Sequence, residues 1–175
     1  MFDLNVLEWA VMKKANAKKI IFTALALLWM VLIFSMSAQN AEESSDLSGS
    51  LSYALCRIFV RGFENMDMPV RLALAESLQT LVRKSAHFIE YAVLGFLLAG
   101  SADSFGTKRR LLWAAFLSTL YAASDEAHQL FVPGRSGQIS DVMLDSAGAV
   151  LGAVIFIAAA GLIRKSLKKS VSCER

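Results

Sequence analysis

Apolar residues fall into four long runs, 20–38, 86–102, 111–132 and 141–163, the first two separated by a long segment and the others by short polar stretches. A helix needs about 20 mostly apolar residues to cross about 30 Å of hydrocarbon. The third and fourth runs are long enough outright, and the first carries no charge. The second is shorter and opens with His87 and Glu90, which keeps a re-entrant segment open as an alternative. The pattern predicts an all-α membrane protein of about four transmembrane helices, a single domain over 1–175.

Between the first two runs lies the one sizeable segment expected outside the bilayer, 39–85. Its start, Gln39 to Asp46, is polar and reads as a loop. Leu47, Leu51, Ala54, Leu55, Ile58, Phe59 and Phe63 then recur at helical spacing, with Arg57 and Arg61 on another side. That spacing predicts an amphipathic helix lying on the outer leaflet. A turn near Asn65 to Pro69 follows, with Pro69 placed to open the next helix. Val70, Leu74, Leu78, Leu81 and Val82 carry an apolar stripe on toward Ala86. The segment either covers the bundle or forms a lid for lipid.

Charge gives the orientation. With the N-terminus inside, the inner tails and turn hold Lys13, Lys14, Lys18, Lys19, Lys108, Arg109, Arg110, Arg164, Lys165, Lys168, Lys169 and Arg175, twelve of the eighteen basic residues. Short cytoplasmic connections carry such an excess, so both termini are expected in the cytoplasm. The same crowding at span ends explains a pI near 9.0 without nucleic acid. The long basic stretch before the first run, and the three runs after it, favour a retained signal anchor over a cleaved signal peptide. Cys56 and Cys173 fall on opposite sides and cannot pair, and no Cys/His zinc spacing exists. Neither is expected to be structural or catalytic.

Helical rise then assigns depths. His87 and Glu90 lie about 5 to 9 Å below Lys84, and Asp125 and Glu126 lie about 9 Å from the same surface. Gln129 is one turn higher, Arg135 sits in the turn above, and Asp141 and Asp145 open the last span. Lys84, His87 and Tyr91 share one helical face. Asp125, Glu126 and His128 cannot all point one way, so one acid is expected to hold a structural partner. Asp141, Asp145, Gly148 and Gly152 share a face whose glycines suit close packing against another span.

Ionisable residues inside membrane helices cost a few kcal/mol, which makes them functional candidates by default. This set could bind a divalent metal or act as general acid and base on a phosphoester. Lys84 and Arg135 would equally suit binding of an anionic lipid headgroup. No HExxH helix, glycine-rich phosphate loop or nucleophile elbow is present. Ionisable groups do not line the inner half of any span, which argues against a transporter. The competing reading has the charges neutralise one another and glue the bundle.

Arg83-Lys84-Ser85-Ala86-His87-Phe88-Ile89-Glu90-Tyr91, Ser124-Asp125-Glu126-Ala127-His128-Gln129, Pro133-Gly134-Arg135-Ser136-Gly137 and Asp141-Val142-Met143-Leu144-Asp145 together resemble the VanZ-like family. Phe34-Ser35-Met36-Ser37-Ala38-Gln39 adds to the likeness, which covers about residues 30 to 155. The resemblance implies a small bacterial cell-envelope membrane protein whose namesake is associated with resistance to the glycopeptide antibiotic teicoplanin. It marks His87, Tyr91, Asp125, Glu126, Gln129, Arg135 and Asp141 as characteristic polar positions and supplies no reaction. Asp145 departs from the asparagine some members carry.

The combined expectation is a multi-pass protein of the bacterial cytoplasmic membrane. Its outer-leaflet site binds a phospholipid or lipid-linked cell-wall precursor headgroup. In the enzymatic version, a hydrolase or transferase acting on a lipid-linked phosphate, His87, Glu126 and Asp125 are catalytic. Lys84, Tyr91, Gln129, Arg135 and Asp141 bind substrate, a divalent metal is an open alternative, and the oligomeric state is undetermined.

Overall fold

Helix-forming sequence without internal breakers dominates the chain, and the computed structural model is all-α. It describes the backbone of residues 4–173. The side chains of Lys14, Lys168, Cys173 and Arg175 lie outside the described residues. Five helices follow in order: α1 (Leu4–Ser37), α2 (Ala41–Phe59), α3 (Met68–Ser101), α4 (Thr107–Gln129) and α5 (Ile139–Cys173), with one 3₁₀ turn at Phe63–Asn65. No strand occurs among the described residues. Two of these helices, over Asn16–Ser37 and Ile139–Ser166, are long and apolar enough to cross a membrane.

Local chemistry explains where the elements differ from expectation. The polar stretch after Gln39 is helical, not a loop. Asn40 Oδ1 accepts the Glu43 amide at 2.8 Å, and the Glu43 carboxylate accepts the Asn40 amide at 3.3 Å. This reciprocal cap satisfies two donors that the helix start leaves open. The stripe toward Ala86 and the second apolar run are one helix of 34 residues, α3. Neither Gly nor Pro interrupts the chain between Pro69 and Gly95, so nothing stops it. Helix α4 ends at Gln129, short of the expected 132, because Pro133 disfavours helical backbone before it.

The turn after α4 has a defined form. Pro133 precedes Gly134 at φ +76°, and the Arg135 amide donates to the Val132 carbonyl at 3.1 Å. Proline then a left-handed glycine across that bond is a type II turn, and it fixes where Arg135 begins. The Ala41 amide donates to the Pro133 carbonyl at 3.3 Å, tying α2 to the same turn.

Packing centres on α3 and α5, which run parallel. A Cβ on Gly148 would strike the Phe88 carbonyl, one on Gly152 the Ala92 carbonyl, and one on Gly95 the Ala149 carbonyl. Small residues let the two backbones approach this closely. Helix α4 adds a fully buried stripe of Ala114, Ser118 and Ala122 at helical spacing. Helix α1 crosses antiparallel to α3, where the Trp29 indole donates to the Glu90 carbonyl at 2.8 Å. Phe22, Phe96 and Phe156 close the core with edge contacts.

At the other end, Asp103 ties three elements, receiving Lys18 at 3.0 Å, Arg110 at 2.5 Å and Arg164 at 3.1 Å. Burial pushes its carboxyl up, but the Lys18 hydrogen bond and the three cations outweigh that and hold it below the usual carboxylate range.

Helix α2 turns its small residues inward. Ser48, Ser52 and Cys56 are buried against α3, while Leu47, Leu51, Ile58 and Phe59 stay exposed. Phe63 leaves that stripe: after the left-handed Gly62 it turns in against Cys56 and Ala75. Cys56 is therefore a packing residue, contrary to the expectation that it has no structural role.

The α3–α5 contact is directly testable. Gly152→Val places a branched side chain against the Ala92 backbone, which cannot move without parting the helices. Such overpacking costs about 1–3 kcal/mol or more, so membrane abundance and thermal stability in detergent should both fall sharply. Gly161→Val, at a position with nothing nearby, should leave both unchanged.

Candidate functional site

The polar residues collect where α1 ends and α5 begins. Helix α3 supplies Lys84, His87, Glu90 and Tyr91, α4 supplies Asp125, Glu126 and Gln129, the type II turn supplies Arg135, and α5 supplies Asp141 and Asp145. Tyr91 and Asp145 have no exposed surface, and Asp125, Glu126 and Gln129 are each at least 94 % buried.

Two of these groups have firm partners. Lys84 Nζ lies 2.6 Å from Asp141 Oδ1, joining α3 to α5. Glu126 Oε2 accepts the backbone amide of Gln138 at 2.8 Å. Gln138 is the residue before α5, and its carbonyl receives the Asp141 amide at 3.0 Å. Gly137 lets the strand leading into α5 pass against α4, since a Cβ there would meet the Glu126 carbonyl oxygen at 2.6 Å. Glu126 thus secures the start of the helix that carries Asp141 and Asp145.

Asp125 points deeper. The Tyr91 hydroxyl donates to Asp125 Oδ2 at 3.4 Å, Asp125 Oδ1 has no hydrogen-bond partner, and Ser37 of α1 lies beside the carboxylate without a bond of good geometry. Gln129 Nε2, His87 Nδ1 and both Asp145 carboxylate oxygens are also buried without a partner. Buried polar atoms in native proteins are nearly always hydrogen-bonded, to protein or to water. Four of these residues, His87, Asp125, Gln129 and Asp145, lie together at this end of the bundle.

Arg83 and Arg135 border two small pockets that share His87. One, of about 190 Å³, is lined by Arg83, Lys84, His87, Gln129, Arg135 and Asp141 among others. The second, of about 90 Å³, adds the apolar Met36, Leu47, Leu51 and Val82 and the carboxylate of Glu90. Neither arginine has a carboxylate within ion-pair distance among the described residues, although both are half-buried. Burial and the nearby Arg83 charge pull Arg135 below its ordinary range, against the opposing charges of Asp125, Glu126 and Glu90, yet a guanidinium stays charged.

The structure therefore gathers Lys84, His87, Tyr91, Asp125, Glu126, Gln129, Arg135 and Asp141 at one end of the bundle. His128 is set apart, its ring stacked on Phe34 at 4.6 Å and bordering neither pocket. Among the described residues no three His, Cys, Asp or Glu side chains are grouped to hold a metal ion. Sequence spacing singles out Lys84 and passes over Arg83, one position earlier, and over Ser37. Arg83 was findable, because it stands four residues before His87 on the same face.

Fold and site define an all-α protein with two membrane-length helices and a buried ionisable cluster at one end. The chain matches VanZ/LLP1 over residues 22–163 and belongs to that family. No curated protein and no solved structure matches it.

The Glu126 bond separates structure from chemistry. Glu126→Ala strands a buried amide and should cost about 1–3 kcal/mol, while Glu126→Gln keeps an acceptor and should cost less than about 1 kcal/mol. Thermal unfolding in detergent measures both. Equal losses would show that the Gln138 contact is not what Glu126 contributes to stability.

Proposed function

We propose that this protein is a four-span membrane protein of the bacterial cell envelope, one domain over 1–175, with both termini in the cytoplasm. The spans are 20–38, 86–102, 111–132 and 141–163, and 39–85 lies on the outer side. The site binds the anionic headgroup of an outer-leaflet phospholipid or lipid-linked cell-wall precursor. Family membership and the apolar outward faces of α1 and α5 support the membrane reading, as do the exposed leucines and phenylalanine of α2 with Arg57 beside them.

The observation that carries the headgroup reading is the pair Arg83 and Arg135. Two guanidiniums placed near each other, half-buried and with no carboxylate in ion-pair contact, repel and are poorly solvated. A phosphate between them removes that repulsion and accepts several charge-assisted hydrogen bonds. The smaller pocket, shared with Met36, Leu47 and Leu51, suits the apolar portion of the same amphiphile. Lys84 and Asp141, paired with each other, form the wall of the headgroup pocket, and Gln129 offers it an amide donor.

In the enzymatic form of this reading, His87 is the group that moves a proton, since it borders both pockets with Nδ1 unbonded and 3.8 Å from Glu90 Oε2. Asp125 orients it electrostatically from behind, and a divalent metal remains open. The second reading, a non-catalytic factor with the cluster as helix glue, is favoured by the Lys84–Asp141 and Glu126–Gln138 contacts, but these leave the arginines without a role.

Native mass spectrometry of the full-length protein tests the binding step. The wild type should retain phosphatidylglycerol over phosphatidylcholine. The double variant Arg83→Gln/Arg135→Gln should lose that preference by about tenfold or more, since charge-assisted bonds contribute about 1.5–3 kcal/mol each, with thermal stability unchanged or raised. Unchanged retention contradicts the proposal. Lipid analysis of a deletion strain then separates modification, which alters the profile, from binding alone. Its teicoplanin sensitivity tests the resistance role that the family resemblance implies.

A further inference from the structure

A second cavity, at the other end of the bundle, is larger and of different character. It is a crevice of about 580 Å³ between α1 and α4, floored by Leu94 and Leu98 of α3 and walled by Leu27, Leu117 and Leu120. Toward its far end the Tyr121 hydroxyl, part of the lining, donates to the Met30 carbonyl at 2.5 Å. Its mouth carries Lys19, Ser104, Phe105 and Trp113, the last two in edge contact with ring centroids 6.2 Å apart.

We propose that this crevice holds one acyl chain of an anionic phospholipid of the cytoplasmic leaflet, with its headgroup at Lys19. The placement in that leaflet rests on the four-span reading above; the site is separate from the Arg83–Arg135 pocket. Four observations carry it.

Along α4 the crevice runs from Trp113 to Ser124, about 16 Å at 1.5 Å per residue. That is one leaflet of a hydrocarbon core about 30 Å thick. An extended acyl chain anchored at the headgroup level spans that same length.

The mouth has the chemistry of a headgroup level. Aromatic residues such as Trp113 concentrate at membrane interfaces. Lys18 is held by Asp103 at 3.0 Å, whereas Lys19 makes no ion pair among the described residues. Helix α4 starts one residue after Gly106 with no side-chain cap on its amides, so its positive end adds to Lys19 beside the mouth.

Photo-crosslinking tests this. The full-length protein is reconstituted in phosphatidylcholine vesicles doped with phosphatidylglycerol bearing a diazirine at one chain end. Labelling should concentrate on Met30, Leu94 and Tyr121. Thr23→Trp, an exposed position that fills the crevice, should cut it about tenfold, and so should Lys19→Glu, which removes the headgroup contact. Arg83→Gln/Arg135→Gln should leave it intact, which keeps failure here distinct from failure of the headgroup proposal. Labelling spread over Val31 and Leu151 and insensitive to both crevice variants would overturn the proposal. A dimer cross-linked through Leu27 and Trp113 would overturn it too, by assigning the crevice to a second copy.

Discussion

The close approach of α3 and α5 is the constraint on which the rest of the molecule depends. Gly148 and Gly152 let the α5 backbone lie on the carbonyls of Phe88 and Ala92, and Gly95 returns the contact from α3. Because the helices run parallel in this register, Lys84 of α3 meets Asp141 of α5 at the site end of the bundle. The small stripe of α4 fits the groove the pair creates. A larger side chain at either glycine would separate charges that now neutralise each other, so packing and electrostatics stand or fall together.

Within that frame the polar groups divide by partner. Lys84, Asp141 and Glu126 are spent on holding α5 in place. Arg83, Arg135 and His87 are not, and they surround the open volume. Asp125, Glu126 and Glu90 act on Arg135 from a distance, but neither arginine has a carboxylate in ion-pair contact, and a half-buried cationic pair in that state is costly unless an anion completes it. Under the headgroup proposal, one cluster serves both as helix glue and as a binding site, with different residues in each role.

Much of this was legible in the sequence, for physical reasons. The glycine face of α5 followed from spacing alone, and the convergence of three helices followed from rise per residue. The Asn40–Glu43 cap was also written in the chain, hidden by the polarity of the residues that make it. The unbroken course of α3 was signalled by the lack of Gly and Pro after Pro69. Other features depend on tertiary geometry. Which acid would be occupied was decided by Gly137, which lets the Gln138 amide reach Glu126. The inward turn of Phe63 depended on a left-handed Gly62. Arg83 gained its importance only when Lys84 proved to have a partner and Arg135 did not.

The central claim is that Arg83 and Arg135 together hold an anion. A cryo-electron microscopy map of the protein in nanodiscs containing phosphatidylglycerol tests it most directly. The account predicts phosphate density within hydrogen-bonding distance of both guanidiniums, with the Lys84–Asp141 pair intact beside it. An empty pocket in which Arg135 has swung to pair with Asp125 or Glu126 would contradict it.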